Sequence, residues 1–439
     1  MASALPAFDD QNPPRSDLVD DCVHCGFCLP TCPTYVLWGH EADSPRGRID
    51  LVKSGLEGAA LTDTMVTHID RCLGCMACVT SCPSGVQYDQ IVTATRGQLE
   101  RRHKRGLRDR LLRGLIFATF PYPRRMRLPR LLLRLYRLSG LARLVHRYGL
   151  AARLPGPLRA MEAIAPPSTR HQTLRSRYPA QGTRRAVVGL LTGCVQDTFF
   201  SEVNAATARV LAAEGCDVIV PEEQGCCGAL SLHNGRTAEA QRFARRVVDT
   251  FTEANVDAVV INSAGCGSAM KEYAEVLTDD PEYASSAEAF TRSVRDLSEY
   301  LEELGPVAPR TPIPLRVAYH DACHLSHAQG IRAAPRSLLR GIPGLTLVEP
   351  PDSALCCGSA GVYNLLQPDA AAELGKRKAD AIATTEAALM VTANPGCLMQ
   401  VSSALAARGT PIPAVHTAQL LDAAISGAGA AALVDDQRE

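Results

Sequence analysis

Eight cysteines fall into two copies of one spacing. Cys22, Cys25, Cys28 and Cys32 are followed by Pro33, and fifty residues on Cys72, Cys75, Cys78 and Cys82 are followed by Pro83. Each copy reads C-x2-C-x2-C-x3-C-P. Three thiolates on one tight loop can grip three irons of a single iron–sulfur cube, while the fourth reaches the other cube. The proline redirects the chain behind it. The pattern assigns Cys22, Cys25, Cys28 and Cys82 to one 4Fe–4S cluster, and Cys72, Cys75, Cys78 and Cys32 to a second. Zinc is the competing reading of C-x2-C pairs, yet a doubled run of four cysteines with proline fits two-pair zinc ligation poorly.

Eight further cysteines form a second, differently spaced duplication. Cys194, the pair Cys226-Cys227 before Gly228, and Cys266 recur as Cys323, the pair Cys356-Cys357 before Gly358, and Cys397, offset by 129, 130 and 131 residues. Adjacent cysteines do not readily close a relaxed disulfide on each other. They can bind two metals or two edges of one cluster, and the glycine lets backbone approach closely. These eight are candidate ligands of an additional cluster or metal; redox-active thiols or small buried apolar residues are the alternatives. Cys216 stands outside the repeat and reads as core. Asn262, His233, His320, Asp321, His324 and Asn394 sit in the same loops, placed to line a crevice or hydrogen-bond sulfur. No catalytic residue is identifiable.

The elements that must position these cysteines are of two kinds. A module over residues 15–95 carries the first duplication, with Ser44, Pro45, Arg46, Gly47 and Arg48 ending one helix and opening the next. Arg46 and Arg48 either neutralise cluster charge or are ordinary surface arginines. From about residue 184, short apolar runs at Ala186–Leu191, Val218–Val220, Asp257–Asn262, Leu315–Tyr319, Leu345–Val348 and Leu389–Thr392 alternate with amphipathic helical stretches. That alternation indicates parallel α/β layering. The single cysteines follow strand ends, where open α/β sheets place ligands, so the duplicated sites should face each other across a pseudo-twofold crevice. The expected class is multidomain, α+β with α/β. A helical dicluster module is followed by a linker (96–183) and two tandem α/β repeats (184–310 and 311–425).

The linker is unlike its neighbours. Residues 96–150 hold sixteen Arg or Lys against Glu100 and Asp109. Leu107, Leu111 and Leu115 form one helical row and Leu112, Ile116 and Phe120 the next; after Pro121 and Pro123, Leu131, Leu135 and Leu138 resume. A basic amphipathic pair suits an anionic membrane surface; a connector packing on its own domains or on a partner subunit is the other reading. Few aromatics interleave, so nucleic acid is not expected.

In the whole chain of 439 residues, 46 Lys plus Arg balance 46 Asp plus Glu, so net charge selects no partner. Seventeen cysteines in metal-like groups fit a reducing compartment better than a disulfide framework. The first 21 residues lack the apolar stretch of a secretory signal, and no run is apolar enough to span a bilayer. The expected location is cytoplasmic, and on the membrane-surface reading of the linker it is peripheral on the inner face of the cell membrane.

Taken together these residues resemble the iron–sulfur subunit of glycolate oxidase, a glycolate dehydrogenase. The resemblance covers both cysteine runs, Ser44 to Arg48, Gly193-Cys194-Val195-Gln196, Cys226 to Leu230, Tyr319-His320-Asp321, Cys356 to Gly361 and Ala393 to Cys397. It implies a ferredoxin-type module and two cysteine-rich repeats that relay electrons. Partner subunits carrying FAD would oxidise glycolate or D-lactate to the 2-oxo acid, and quinone or another respiratory acceptor would take the electrons. No G-x-G-x-x-G follows a strand, so FAD is expected only on a partner. The wider family includes heterodisulfide reductase subunits, whose repeats end C-x-x-C, and the anaerobic glycerol-3-phosphate dehydrogenase iron–sulfur subunit. Here Cys266 is followed by Gly267, Ser268 and Ala269, and Cys397 by Leu398, Met399 and Gln400. That departure weakens the alternative of a thiol or heterodisulfide reductase.

Overall fold

The computed structural model describes residues 6–166, 171–409 and 412–434. Its first part is a compact set of short helices, among them Pro33–Trp38, Pro45–Leu56, Asp63–Asp70 and Tyr88–Arg102. Pro33 opens a helix rather than ending one, because a residue at the first helical position has no N–H partner to lose. Ser44 caps the helix Pro45–Leu56 by accepting from the Gly47 amide at 3.0 Å. Ile49, Val52, Met65, Ile69, Ile91, Val92 and Leu99 form the core of this module. Helix Tyr88–Arg102 continues past residue 95 and docks on the rest of the chain.

The linker folds into helices Leu107–Thr119, Pro123–Leu138, Leu141–Arg147 and Gly156–Ala163. One apolar row turns inward: Ile116 and Phe117 are buried against Val362 and Leu365, with Leu112 and Phe120 beside them. The row Leu107, Leu111 and Leu115 stays outside, each residue more than 60% exposed. The connector reading therefore holds for the inward row, and the outer row is left exposed.

Among the described residues nine strands make two sheets: β1 (Arg177–Tyr178), β2 (Ala186–Leu191), β3 (Cys216–Ile219), β4 (Ala258–Ile261), β5 (Val294–Asp296), β6 (Arg316–Tyr319), β7 (Thr346–Val348), β8 (Leu389–Thr392) and β9 (Ala414–His416). Their orders are β1-β3-β2-β4-β5 and β7-β6-β8-β9. Only β1 runs antiparallel; every other pairing is parallel. Without β1 the two sheets have the same order, so the cysteine duplication is a duplication of fold. In each, the first and third strands of the repeat are adjacent, Leu191 opposite Ile261 and Tyr319 opposite Val391. The chain reverses its winding there, which opens a crevice beyond the carboxyl ends of those strands.

The repeats share one core. Val188, Leu190 and Val210 of the first and Leu389, Met390 and Leu420 of the second belong to a single buried cluster. At the seam His416 Nε2 lies 2.7 Å from the Asn262 carbonyl, and the Ala264 amide donates to the Ala393 carbonyl at 3.2 Å. The two crevices are thereby held facing each other.

Candidate electron-relay site

The outer run of cysteines lies at the surface. Cys22, Cys25, Cys28 and Cys82 line one small cavity of about 30 Å³, together with Arg46, Ile49 and Tyr88. Cys25 is exposed, and its neighbours Val23 and Phe27 are 68% and 65% exposed. The inner four, Cys32, Cys72, Cys75 and Cys78, are all buried. The two loops have the same backbone. His24 and Gly74 (φ 55° and 64°) occupy matched left-handed positions, as do Gly26 and Met76 (φ 87° and 60°). This conformation turns amides towards sulfur: the Gly74 amide lies 3.4 Å from Cys72 Sγ.

Arg48 is 1% exposed, so the surface reading of that residue is wrong. Its guanidinium donates to the His68 carbonyl and to Thr34 Oγ1, at 2.7 and 3.0 Å, and lies 3.9 Å from Cys32 Sγ. The buried Asp43 carboxylate binds His68 Nδ1 at 2.8 Å and Arg71 at 2.9 Å, which completes a charged lattice behind the inner thiols. Burial opposes ionisation of Cys72, but Arg48 and Arg96 outweigh it and hold that thiol below its usual value. Tyr88 adds a hydroxyl 3.6 Å from Cys72 Sγ. Cys75 is pushed well up, first by burial and then by the nearby Cys323 thiol.

That last neighbour belongs to the second repeat. Leu73, Cys75 and Ala77 pack in one cluster with Cys356, Tyr363, Ala371 and Leu374. His324 Nε2 sits 2.9 Å from the Gly74 carbonyl, and Thr80 Oγ1 lies 2.7 Å from His327 Nδ1. Arg96 ties in the first repeat by donating to the His233 carbonyl at 2.9 Å and to the Cys72 carbonyl.

Each repeat gathers its four cysteines at the crevice. In the first, Cys194 and Cys226 are 3.5 Å apart at sulfur. Cys227 is held well below the ordinary thiol value by hydrogen bonding from Cys226, then from Cys266. In the second, Cys323 and Cys356 lie 3.9 Å apart, and Cys357 is held low by Cys356, then by Cys397. The glycines after the pairs have φ 80° and 91°, and helices Thr237–Glu253 and Pro368–Ala383 press against them. A cavity of about 520 Å³ is lined by all eight of these cysteines, by Cys72, His233, His324 and Asn394, and by Ile116, Phe120, Met126 and Leu133 of the linker.

The polar neighbours divide. Asn394 Nδ2 lies 3.5 Å from Cys397 Sγ, and His320 offers a ring nitrogen within 4.8 Å of the Cys357 and Cys397 sulfurs. Asn262 instead bonds Asn204 and Thr207, and Asp321 pairs with Arg336 at 2.6 Å; both serve the fold. Cys216 is fully buried in the core. Sequence reasoning missed Tyr88 and Arg96, which lie outside any cysteine run.

Family models match in the same order as the parts just described. They are a 4Fe-4S dicluster domain over residues 18–86, the linker region of the glycolate oxidase iron-sulfur subunit over 108–165, and a cysteine-rich domain over 188–271 and again over 317–402. A probable glycolate oxidase iron-sulfur subunit of Bacillus subtilis (strain 168) is 40% identical over 413 residues, 91% of this chain and 93% of that one. The chain belongs to the glycolate oxidase iron–sulfur subunit family. The Escherichia coli (strain K12) member is 38% identical over 87% of this chain and 89% of its own length. Lactate utilization protein A of an Exiguobacterium species is 31% identical over 55% of this chain and 99% of its own length. The thiol sets fit what the family names imply: grouped soft donors, with backbone amides and guanidinium groups near sulfur.

Proposed function

We propose that this chain is the electron-transfer subunit of a glycolate or D-lactate dehydrogenase, receiving electrons from an FAD-bearing partner and delivering them to quinone or another respiratory acceptor. Cys22, Cys25, Cys28 and Cys82 hold one 4Fe–4S cluster, Cys72, Cys75, Cys78 and Cys32 a second, and the eight cysteines of the repeats further iron. Bound clusters supply the one-electron chemistry that no side chain of this chain has.

The observation that carries this reading is an unbroken succession of thiol groups from surface to interior. It starts at exposed Cys25, reaches buried Cys75 beside Cys323, and ends at the cavity that both repeats share. Val23 and Phe27 give the outer end an apolar docking spot for the partner. Arg48 and Arg96 favour the thiolate form of Cys72. Anaerobic complex given glycolate should reduce flavin and then a quinone analogue. In Cys75→Ser flavin reduction should persist while acceptor reduction stops; unimpaired acceptor reduction overturns the relay.

The linker supports an acceptor taken from a lipid surface. Twelve of the sixteen large hydrophobic side chains exposed among the described residues lie between Leu107 and Leu158, interleaved with arginines. Such a face suits anionic headgroups, and its reverse side lines the apolar half of the cavity. No described helix is long and apolar enough to cross a membrane. Replacing Leu131, Leu135 and Leu138 with Ser should release the complex from anionic vesicles at unchanged stability. Undiminished vesicle binding rejects the contact.

A further inference from the structure

The two repeats have the same cysteines but not the same donors. His320 follows β6 directly, and its amide donates to the Val391 carbonyl at 2.8 Å, which fixes the residue at the point where β6 and β8 part. The residue is 1% exposed, neither ring nitrogen has a nitrogen or oxygen partner, and the polar group beside the ring is the Cys357 thiol. Leaving such a group buried without a partner is unfavourable, and a ligand on the lone pair removes that cost. One ring nitrogen and the sulfurs of Cys357 and Cys397 all lie within 4.8 Å of one another, in a fully buried group. Ligand atoms around a single metal ion, at roughly 2.0–2.3 Å from it, stand at such separations once drawn in.

The first repeat has nothing equivalent. The offset of 129 residues that carries Cys194 to Cys323 carries Leu191 to His320. Leu191 packs in an apolar core with Val259, Ile261 and Met270. The other crevice histidines, His233 and His324, also keep one ring nitrogen without a partner, but His324 Nε2 is turned to the Gly74 carbonyl, the two rings meet edge to face at 4.9 Å, and among the described residues neither is grouped with thiol sulfurs as His320 is. Gln400, one turn beyond Cys397, spends its amide on Ala371 and Asn364.

We infer that His320 is an iron ligand of the second repeat, so that this centre has a mixed imidazole–thiolate donor set and the first an all-thiolate one. The inference rests on the reading that the repeats bind iron. A neutral imidazole bound beside thiolates adds a donor without adding negative charge. That distinguishes the two centres electronically even though their cysteines match.

The test is pulsed paramagnetic resonance on anaerobically purified full-length chain, reduced in steps and grown with isotope-labelled or unlabelled histidine. The expected result is a strong nitrogen coupling on one centre that changes with the label and disappears in Cys357→Ser. In His320→Cys the coupling should vanish while iron content holds and the midpoint potential of that centre falls, because an anionic donor replaces a neutral one. His320→Leu, which copies the first repeat, should lose the coupling and leave the spectra of the N-terminal clusters unchanged, showing that the chain has folded. A wild-type centre that binds iron at the second repeat with no histidine coupling overturns the ligand assignment alone. Coupling that survives both His320 variants overturns it too. Absence of iron from both repeats overturns the assignment together with the reading beneath it.

Discussion

The first and second repeats have one sheet order and one cysteine pattern, yet they keep different company. The thiols of the second abut the inner loop of the N-terminal module, where Cys75, Leu73 and Ala77 pack with Cys356 and Tyr363. Those of the first pack with Phe243 and with Tyr122 of the linker. Duplication supplied two cradles with matching cysteines, and on the proposed reading the one that abuts the N-terminal module would receive electrons first.

The comparison breaks most visibly if the order is wrong. Cys357→Ser should leave the N-terminal clusters reducible by the partner flavoprotein while neither repeat becomes reduced and acceptor turnover is abolished. Cys227→Ser should also abolish turnover but leave the second repeat reducible. Stepwise reduction followed by paramagnetic resonance distinguishes them, and matching spectra in the two variants would reverse or remove the direction.

Single buried groups in the two repeats should also give pH dependences of opposite sign. Burial pushes Glu272 of the first repeat up to about 7 and Asp296 up to about 6. Both are neutral acids in the fold that ionise on unfolding, so their contribution is lost as pH rises through that window. Burial pushes His416 of the second repeat down to about 4. It stays neutral in the fold but gains a proton on unfolding, so stability falls as pH drops from about 6.5 towards 4, by about 3 kcal/mol in all. Thermal unfolding midpoints across pH should show a flatter acid limb in His416→Asn and a flatter limb from about 4.5 to 7 in Glu272→Gln.

A smaller asymmetry lies at the glycines after the cysteine pairs. A Cβ on Gly228 would meet Phe243 Cβ at 3.1 Å, whereas on Gly358 it would meet the Ala371 carbonyl oxygen at 2.7 Å. Both positions carry the left-handed penalty of about 1–2 kcal/mol, but the Ala240 carbonyl oxygen lies 3.2 Å from a Cβ on Gly228, so backbone must yield further at Gly358. Denaturant titration should show Gly358→Ala losing about twice what Gly228→Ala loses; equal losses would mean the two helix approaches are equally tight.

Much of this was legible in the residues. The strand at Ala186–Leu191 and the one at Leu389–Thr392 stand as expected, because buried parallel strands read as unbroken apolar runs. β1, β5 and β9 were not foreseen. Arg177–Tyr178, Val294–Asp296 and Ala414–His416 are edge strands of two or three residues whose pattern is too short to register. The cysteine groups were visible because spacing alone carries their chemistry. The burial of Arg48 was not, since an arginine in a Ser-Pro-Arg-Gly-Arg stretch looks like surface until Asp43, 0% exposed, is seen behind it. The contact of His324 with Gly74 spans 250 residues and leaves no mark on either segment.

One consequence follows from the unequal exposure of the two N-terminal loops. Dioxygen reaching the protein meets Cys25 first, at the surface, while Cys72, Cys75 and Cys78 are buried. Aerobic injury should therefore sever the chain from its donor before it loosens the fold, so that air-aged protein loses part of its iron and its coupling to the flavoprotein while its melting profile is still intact. Iron assays beside calorimetry on samples aged in air would show that order, and simultaneous loss of both would refute it.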